Sequence, residues 1–243
     1  MPQAKIALVG LVLSLLPGVT SGDSTIIIQS GVDTAPYAFI PTLSRHLHPT
    51  LYAFESTDEA TGISHTFETF IRFDLEDPVV PAGEVVSSAI FFIPYAFDFV
   101  GFGDTPDVPG EVNVHQITSA WDPPTLTWLN RPSVGPVIDT VSGITGFGTM
   151  TFDVTELVTA WSDGTHPNNG LALISDTGRV IGMNSFEMPV AAGLKANLVI
   201  NTVSAPAVPT AGGGMLVLLV ALVGAIGVRH AGCGPLGSRR QGG

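Results

Sequence analysis

Three kinds of residue in this chain have types and spacings suited to surface chemistry: aromatic rings between predicted strands, loops rich in side-chain oxygen, and two closely spaced histidines. Tyr37, Tyr52 and Phe102 fall in predicted loops. A ring there offers a flat apolar face that tolerates polar edges, which is what a sugar ring needs from a protein. Asp104, Asp107 and Glu111 lie in one predicted loop, and Asp163, Asn168 and Asn169 in another. Both sets supply the carboxylate and carbonyl oxygens that calcium prefers, and the first set is the candidate metal site, although neither follows the spacing of an EF-hand. No cofactor is required. His46 and His48 alternate, so a strand there would put both rings on one face, with His65 as a third ligand for a transition metal; a surface or partly packed pair is the simpler expectation.

Trp121, Trp128 and Trp161 are also flat enough to stack on sugar, but Trp161 falls on a helical apolar stripe and the other two in stretches that read as structural. Core packing is expected of all three. Catalytic patterns are missing. Glu55, Asp58, Glu68 and Glu187 are carboxylates without a distinguishable pair. There is no Gly-x-Ser-x-Gly elbow, phosphate loop or two-histidine zinc helix, so no enzyme is expected.

The elements that must position these residues are mainly strands. Runs rich in Ile, Val, Phe and Thr recur at Ser24 to Gln29, Phe67 to Leu75, Val85 to Phe97, Glu111 to Ile117, Gly148 to Phe152, Gly170 to Ser175 and Lys195 to Thr202, separated by Gly, Pro, Asp and Asn. Such punctuation predicts an all-β fold, a jelly-roll-like antiparallel β-sandwich. One helix interrupts it, with Asp153 as the expected cap, Glu156 three residues on, an apolar stripe of Leu157, Val158 and Trp161, and Gly164 as the stop. It is expected to plug an edge of the sandwich.

Both ends carry transport signals. Lys5 precedes an apolar run from Ile6 to Leu16, then Pro17-Gly18 and small residues at Thr20-Ser21-Gly22, the pattern of a secretory signal peptide. Near the other end, Pro209 and Gly212-Gly213-Gly214 precede an apolar run from Met215 to Val228, followed by Arg229, Arg239 and Arg240. That run makes about 21 Å of helix against about 30 Å of hydrocarbon; with Ala211 to Gly214 it reaches about 27 Å, enough for a thinned bilayer. Arg229 would stay on the cytoplasmic side. The order resembles the tripartite C-terminal sorting signals of bacteria, the PEP-CTERM and GlyGly-CTERM types, which imply an export-linked membrane protease. The expected organisation is a signal peptide at 1–22, a sandwich at 23–203, a linker and sorting motif at 204–214, a transmembrane or sorting helix at 215–228 and a basic cytoplasmic tail at 229–243. The chain would be exported and either anchored at the cell surface or released by C-terminal processing.

All 21 acidic residues fall between Asp23 and Glu187, whereas only Arg45, Arg72, Arg131, Arg179 and Lys195 of the nine basic ones belong to the expected sandwich. That field repels nucleic acid, anionic lipid and anionic polysaccharide, leaving neutral glycans, cations and basic partners. It also serves solubility. The single cysteine, Cys233, lies beyond the apolar run, so no disulfide staples the domain and the core alone must hold it.

From Asp33 to Thr202 the chain resembles the DNRLRE domain family. The resemblance rests on Arg72-Phe73-Asp74-Leu75, Val80-Pro81-Ala82-Gly83, Ser119-Ala120-Trp121, Leu126-Thr127-Trp128-Leu129-Asn130-Arg131-Pro132, Phe152-Asp153-Val154-Thr155, Asn169-Gly170-Leu171 and Ser185-Phe186-Glu187, in that order. It implies a jelly-roll sandwich of extracellular proteins related to a carbohydrate-binding module family. The segment Arg45-His46-Leu47-His48-Pro49 and the long predicted loop from Asp98 to Gly110 depart from the family pattern. Two functions then compete: the leading one is an exported cell-surface or extracellular-matrix structural and adhesion protein presenting the sandwich, with envelope proteins as partners, and the alternative is a carbohydrate-binding module for a neutral polysaccharide, with calcium assisting. An aromatic row on one exposed sheet face would favour the second.

Overall fold

Period-two burial along the apolar runs sets the architecture. The computed structural model describes residues 24–58, 60–76, 78–100, 109–191 and 194–206, with backbone only at 96–100. The strands are β1 (Thr25–Thr34), β2 (Thr50–Asp58), β3 (Ile63–Phe67), β4 (Thr69–Phe73), β5 (Glu84–Val100), β6 (Gly110–Ile117), β7 (Val134–Ile144), β8 (Gly148–Asp153), β9 (Leu171–Ile174), β10 (Arg179–Asn184) and β11 (Asn197–Ser204), with one α-helix, α1 (Thr155–Ser162), among the described residues. Along β11, Leu198, Ile200 and Thr202 are buried while Asn197, Val199 and Asn201 keep partial access to solvent, the alternation of a strand with one face in a core.

These strands form an antiparallel β-sandwich. In one layer the long β5 pairs with β11 and then β10 along one edge and with β8 along the other. β2 adds to β10, and β3 to β2. The second layer runs β1, β4, β9, β6, β7. β1 serves both: Thr25–Gln29 pair with β11, and Ser30–Thr34 pair with β4 after a register shift between Ser30 and Val32. Strands turn such corners through bulges. Gly31 sits at the bend, where an added Cβ would lie 2.5 Å from Cγ of Asp74.

Between the layers, Phe91 packs edge-on against Phe73 at 5.7 Å and stacks with Phe152 at 5.8 Å; all three are buried. Aromatic pairs at these spacings add to the burial energy. A second, smaller core of Phe70, Ile117, Leu126 and Ala172, with Trp121 and Ile174 against it, covers the far side of the second layer.

The helix closes the edge of β5 that β8 leaves open. Val154 N–H donates to Ala89 O at 2.9 Å, and Ala89 N–H donates to Thr155 Oγ1 at 2.9 Å. Leu157, Val158 and Trp161 are buried, as the apolar stripe predicts. Its start differs from the expectation. Asp153 ends β8, Val154 is the N-cap, and the Asp153 carboxylate accepts from Thr155 N at 3.0 Å and Thr155 Oγ1 at 2.6 Å, because pairing with β5 holds the chain extended through Asp153. Gly164, at φ +75°, ends the helix with its N–H on Trp161 O.

Other boundaries move as well. β5 runs to Val100, so Asp98, expected in a loop, pairs with Ile181. The run from Phe67 to Leu75 divides between the end of β3 and β4. β2, β7 and β10 had no predicted counterpart, and β3 had one at Phe67 alone. Tyr52 therefore lies on a strand rather than in a loop, and His46 and His48 lie in a loop rather than on a strand. The expected signal peptide, sorting motif, apolar helix and basic tail lie outside the described residues. Among the described residues, no helix is long and apolar enough to cross a membrane.

Candidate carbohydrate-contacting surface

The segment from Ser119 to Ser133 is built by short-range polar contacts around fixed prolines. Pro123–Thr125 and Trp128–Asn130 each form one 3-10 turn. Asn130 Oδ1 accepts from Thr127 N at 2.6 Å and Thr127 Oγ1 at 2.9 Å, while Asn130 Nδ2 donates to Thr125 O at 2.9 Å. Thr125 Oγ1 donates to Asp122 Oδ2 at 2.9 Å. A side chain that bonds its own neighbouring backbone holds a turn without help from a ladder.

Two arginines fasten this segment to the sandwich. Arg72 donates to Trp121 O at 3.3 Å with its guanidinium carbon 5.4 Å from the indole centroid, and Trp121 Nε1 donates to Asn169 O at 2.7 Å. Arg131 pairs with Glu68 at 3.0 Å, donates to Trp128 O at 3.0 Å and lies 3.5 Å from the Trp128 ring centroid. Burial pushes the Glu68 carboxyl above its ordinary pKa, and Arg131 opposes that push. The result is a shallow, open cleft of about 420 Å³ lined by Ala120, Trp121, Asp122, Thr125, Leu126 and Asn130. An indole edge, a carboxylate, a hydroxyl and an amide meet there, which is the mixture of apolar and directional polar groups that small-ligand sites use.

A second surface adjoins it. Tyr37 stacks on Phe67 at 4.1 Å with rings 7° apart, and its hydroxyl bonds His65 Nδ1. Tyr52 lies 5.1 Å from the same Phe67, and the Arg45 guanidinium sits 5.2 Å from that ring and 5.8 Å from Tyr52. Burial raises the Tyr37 pKa and lowers that of Arg45. Tyr37 and Tyr52 thus converge on one half-buried cluster instead of standing as separate platforms. The more exposed ring is Phe39, 51% accessible and 5.8 Å from Tyr37. This loop reaches the cleft segment: Leu129 N–H donates to Pro41 O at 3.3 Å, and Ser44 Oγ donates to Pro123 O at 3.4 Å.

The remaining candidates separate. Phe102, Asp104 and Asp107 lie outside the described residues. Glu111 is on β6, where its carboxylate accepts from Ser142 Oγ at 2.6 Å. In the other oxygen-rich loop, Asp163 accepts from Thr165 N, Asn168 donates to Phe73 O, and Asn169 O receives the Trp121 indole. His46 bonds Ser44, and His48 bonds the Thr50 backbone. Among the described residues, no three His, Cys, Asp or Glu side chains gather as metal ligands. Trp161 is buried in the main core and Trp121 against the small one; Trp128 is half-buried under Arg131.

Asp122, Thr125, Asn130 and Phe39 escaped the sequence reading. The signal for the first three was Asp122-Pro123-Pro124-Thr125 followed by Thr127 and Asn130, a turn-forming cluster beside a tryptophan. The outward side of the first layer is a second face on which a sugar chain could lie. There Ile27, Val199 and Ile90 pair in one row, and Gln29, Asn197, Phe92 and Thr151 in the next. Phe92 is the one aromatic in these two rows, whereas farther along the layer Tyr52 pairs with Gly182 and Gly182 with Phe97.

The sequence profile of carbohydrate-binding module family 96 matches residues 49–202, more than half of the 243-residue chain. The match begins just before β2 and ends in β11, at the same Thr202 where the resemblance read from the motifs ends. No curated protein matches the chain.

Proposed function

Because the chain belongs to carbohydrate-binding module family 96, we propose that it binds a polysaccharide without cleaving it, through the cleft at Trp121, Asp122, Thr125 and Asn130. The observation that carries this reading is the family match itself, which extends over β2 to β11. The cleft supports the location, since its lining residues fall inside the matched span and combine an indole with carboxylate, hydroxyl and amide groups. The expected structural or adhesive role gains no specific support from the match.

Neutral glycans suit the acidic domain better than anionic ones, because close approach of like charges is unfavourable. Calcium would ease that conflict, and Glu111 with Asp104 and Asp107 is its proposed site. Export is part of the same proposal: the apolar run after Lys5 and the C-terminal Gly-rich, apolar and arginine segments support delivery to the cell surface. The DNRLRE resemblance, which starts at Asp33, adds the end of β1 and the loop after it to the binding domain.

The test is affinity electrophoresis of the purified protein through gels containing cellulose derivatives, xylan, mixed-linkage glucan or pectin, with and without calcium. Retardation by a neutral polysaccharide supports the reading, and retardation only by pectin would reverse the charge argument. Unretarded migration through every gel, at both calcium levels, would remove the carbohydrate function.

A further inference from the structure

We infer that the ligand of this surface is a neutral glycan bearing short O-acyl groups, such as acetyl esters, whose methyls sit on the apolar side chains beside the Trp121 cleft. This rests on the carbohydrate reading above and names the ligand class of the same site. The first observation is an apolar patch that the polar groups of the cleft do not explain. Phe39, Ile40, Leu43 and Leu129 are between 43% and 71% exposed. Single exposed apolar side chains are ordinary, but several grouped together mark an interaction site.

The second is that the backbone holds this patch in place. Ile40 N–H donates to Tyr37 O at 3.2 Å and Leu43 N–H to Ile40 O at 3.1 Å, two successive turns, and Leu129 N–H donates to Pro41 O at 3.3 Å, which joins the two halves of the patch. The Phe39 ring lies 5.8 Å from Tyr37 and 5.3 Å from His65. Leu129 occupies the middle of the Trp128–Asn130 turn, so the most exposed member of the patch is next in sequence to Asn130, which lines the cleft. A sugar whose hydroxyls reach Asp122, Thr125 and Asn130 therefore has an apolar neighbour at the edge of the cleft.

The third is charge. Of the five basic residues between 24 and 206, Arg45, Arg72 and Arg131 belong to this surface. Each of their guanidinium carbons lies 3.5–5.8 Å from an aromatic ring centroid, and Arg131 is paired with Glu68 besides. Cations already engaged by rings and by a carboxylate of the protein suit an uncharged ester on the sugar better than an acidic group. The cleft is shallow and open, which fits a short acyl group; a long lipid chain needs a pocket that encloses most of its surface.

Selective capture reads this out. Oligosaccharides cut from a neutral polysaccharide that retards the protein are sparingly acetylated and passed over the immobilised full chain, and the bound and excluded fractions are compared by mass spectrometry. Acetylated members should be enriched about two- to fourfold in the bound fraction, the upper figure corresponding to one methyl removed from water. Leu129→Ser and Phe39→Ser, both at exposed positions, should abolish the enrichment while unmodified sugar is still retained. Asp122→Ala should weaken retention of both forms and leave the enrichment in place.

A bound fraction no richer in acetyl than the excluded one, or an enrichment that survives both serine substitutions, would overturn the acyl inference while leaving carbohydrate binding intact. Sedimentation of the protein with sugar-free phosphatidylcholine vesicles, lost in Leu129→Ser, would assign the patch to lipid and overturn it as well. If no neutral polysaccharide retards the protein, the carbohydrate reading and this inference fall together. Near-ultraviolet circular dichroism of each variant, matching that of the parent, separates a lost contact from a lost fold.

Discussion

At the scale of single residues, Asp33 is a buried carboxyl whose surroundings disfavour its charge. It is 3% exposed, accepts Phe186 N–H at 2.7 Å on Oδ2, and leaves Oδ1 without a hydrogen-bond partner among the described residues. Burial first, aided by the charge of Glu187, pushes its pKa from 3.8 up to about 6 against hydrogen bonds that lower it. A folded-state pKa above the unfolded one means that the native state holds the proton more tightly. This contribution is therefore complete below about pH 4 and is lost as pH rises through about 6, amounting to about 2–3 kcal/mol. Asp33→Asn keeps an acceptor for Phe186 and should abolish that fall; denaturant melts of both proteins at pH 4 and pH 7 check it, and parallel pH dependence would refute it. Arg131 is a second such residue. Arg131→Ala gives up the Glu68 pair, the bond to Trp128 O and the ring contact, leaving a largely buried carboxylate alone. A loss of about 2–3 kcal/mol in the same melts is expected.

Among the elements, the strands visible in the sequence were those with a long apolar run, such as β5, or with regular alternation, such as β6 and β11. β7 was hidden by Gly135, Pro136 and Gly143; an edge strand accepts proline because one side of its backbone has no ladder to feed. β10 was hidden by Gly182 in the middle of a short run, and β2 by the basic, histidine-containing segment before it. The helix was legible from its stripe, but its start depended on β8 pairing with β5, a contact between distant stretches that no local capping signal reports. The cleft was illegible for the same reason: the bonds fixing Trp121 come from Arg72 and Asn169, each far away in sequence. Gly170 belongs to this scale too. It sits at φ +94°, where an added Cβ would lie 2.1 Å from Ile71 O, so Gly170→Ala should cost about 3 kcal/mol or more by combining backbone strain with a clash against an immobile carbonyl. Gly164→Ala has open space at its similar φ and should cost about 1–2 kcal/mol. Equal losses on thermal melting would deny that close packing distinguishes the two.

For the whole molecule, the sandwich and its interlocked phenylalanines provide a frame that does not depend on disulfides. Phe91→Ala, at the junction of Phe73 and Phe152, should cost about 3–5 kcal/mol, measured by the denaturation midpoint. On that frame the loop surface formed by the Phe39 loop and the Trp121 segment is the proposed recognition surface, with acidic charge on the same domain. The central claim is that sugar binds at the Trp121 cleft, and the most direct measurement is proton–nitrogen NMR of the tryptophan indoles during titration with a neutral oligosaccharide. The account predicts a saturable shift of the Trp121 indole resonance while that of buried Trp161 stays fixed. Indole and backbone resonances that remain unmoved up to millimolar sugar, across neutral and anionic oligosaccharides with calcium present, would contradict it.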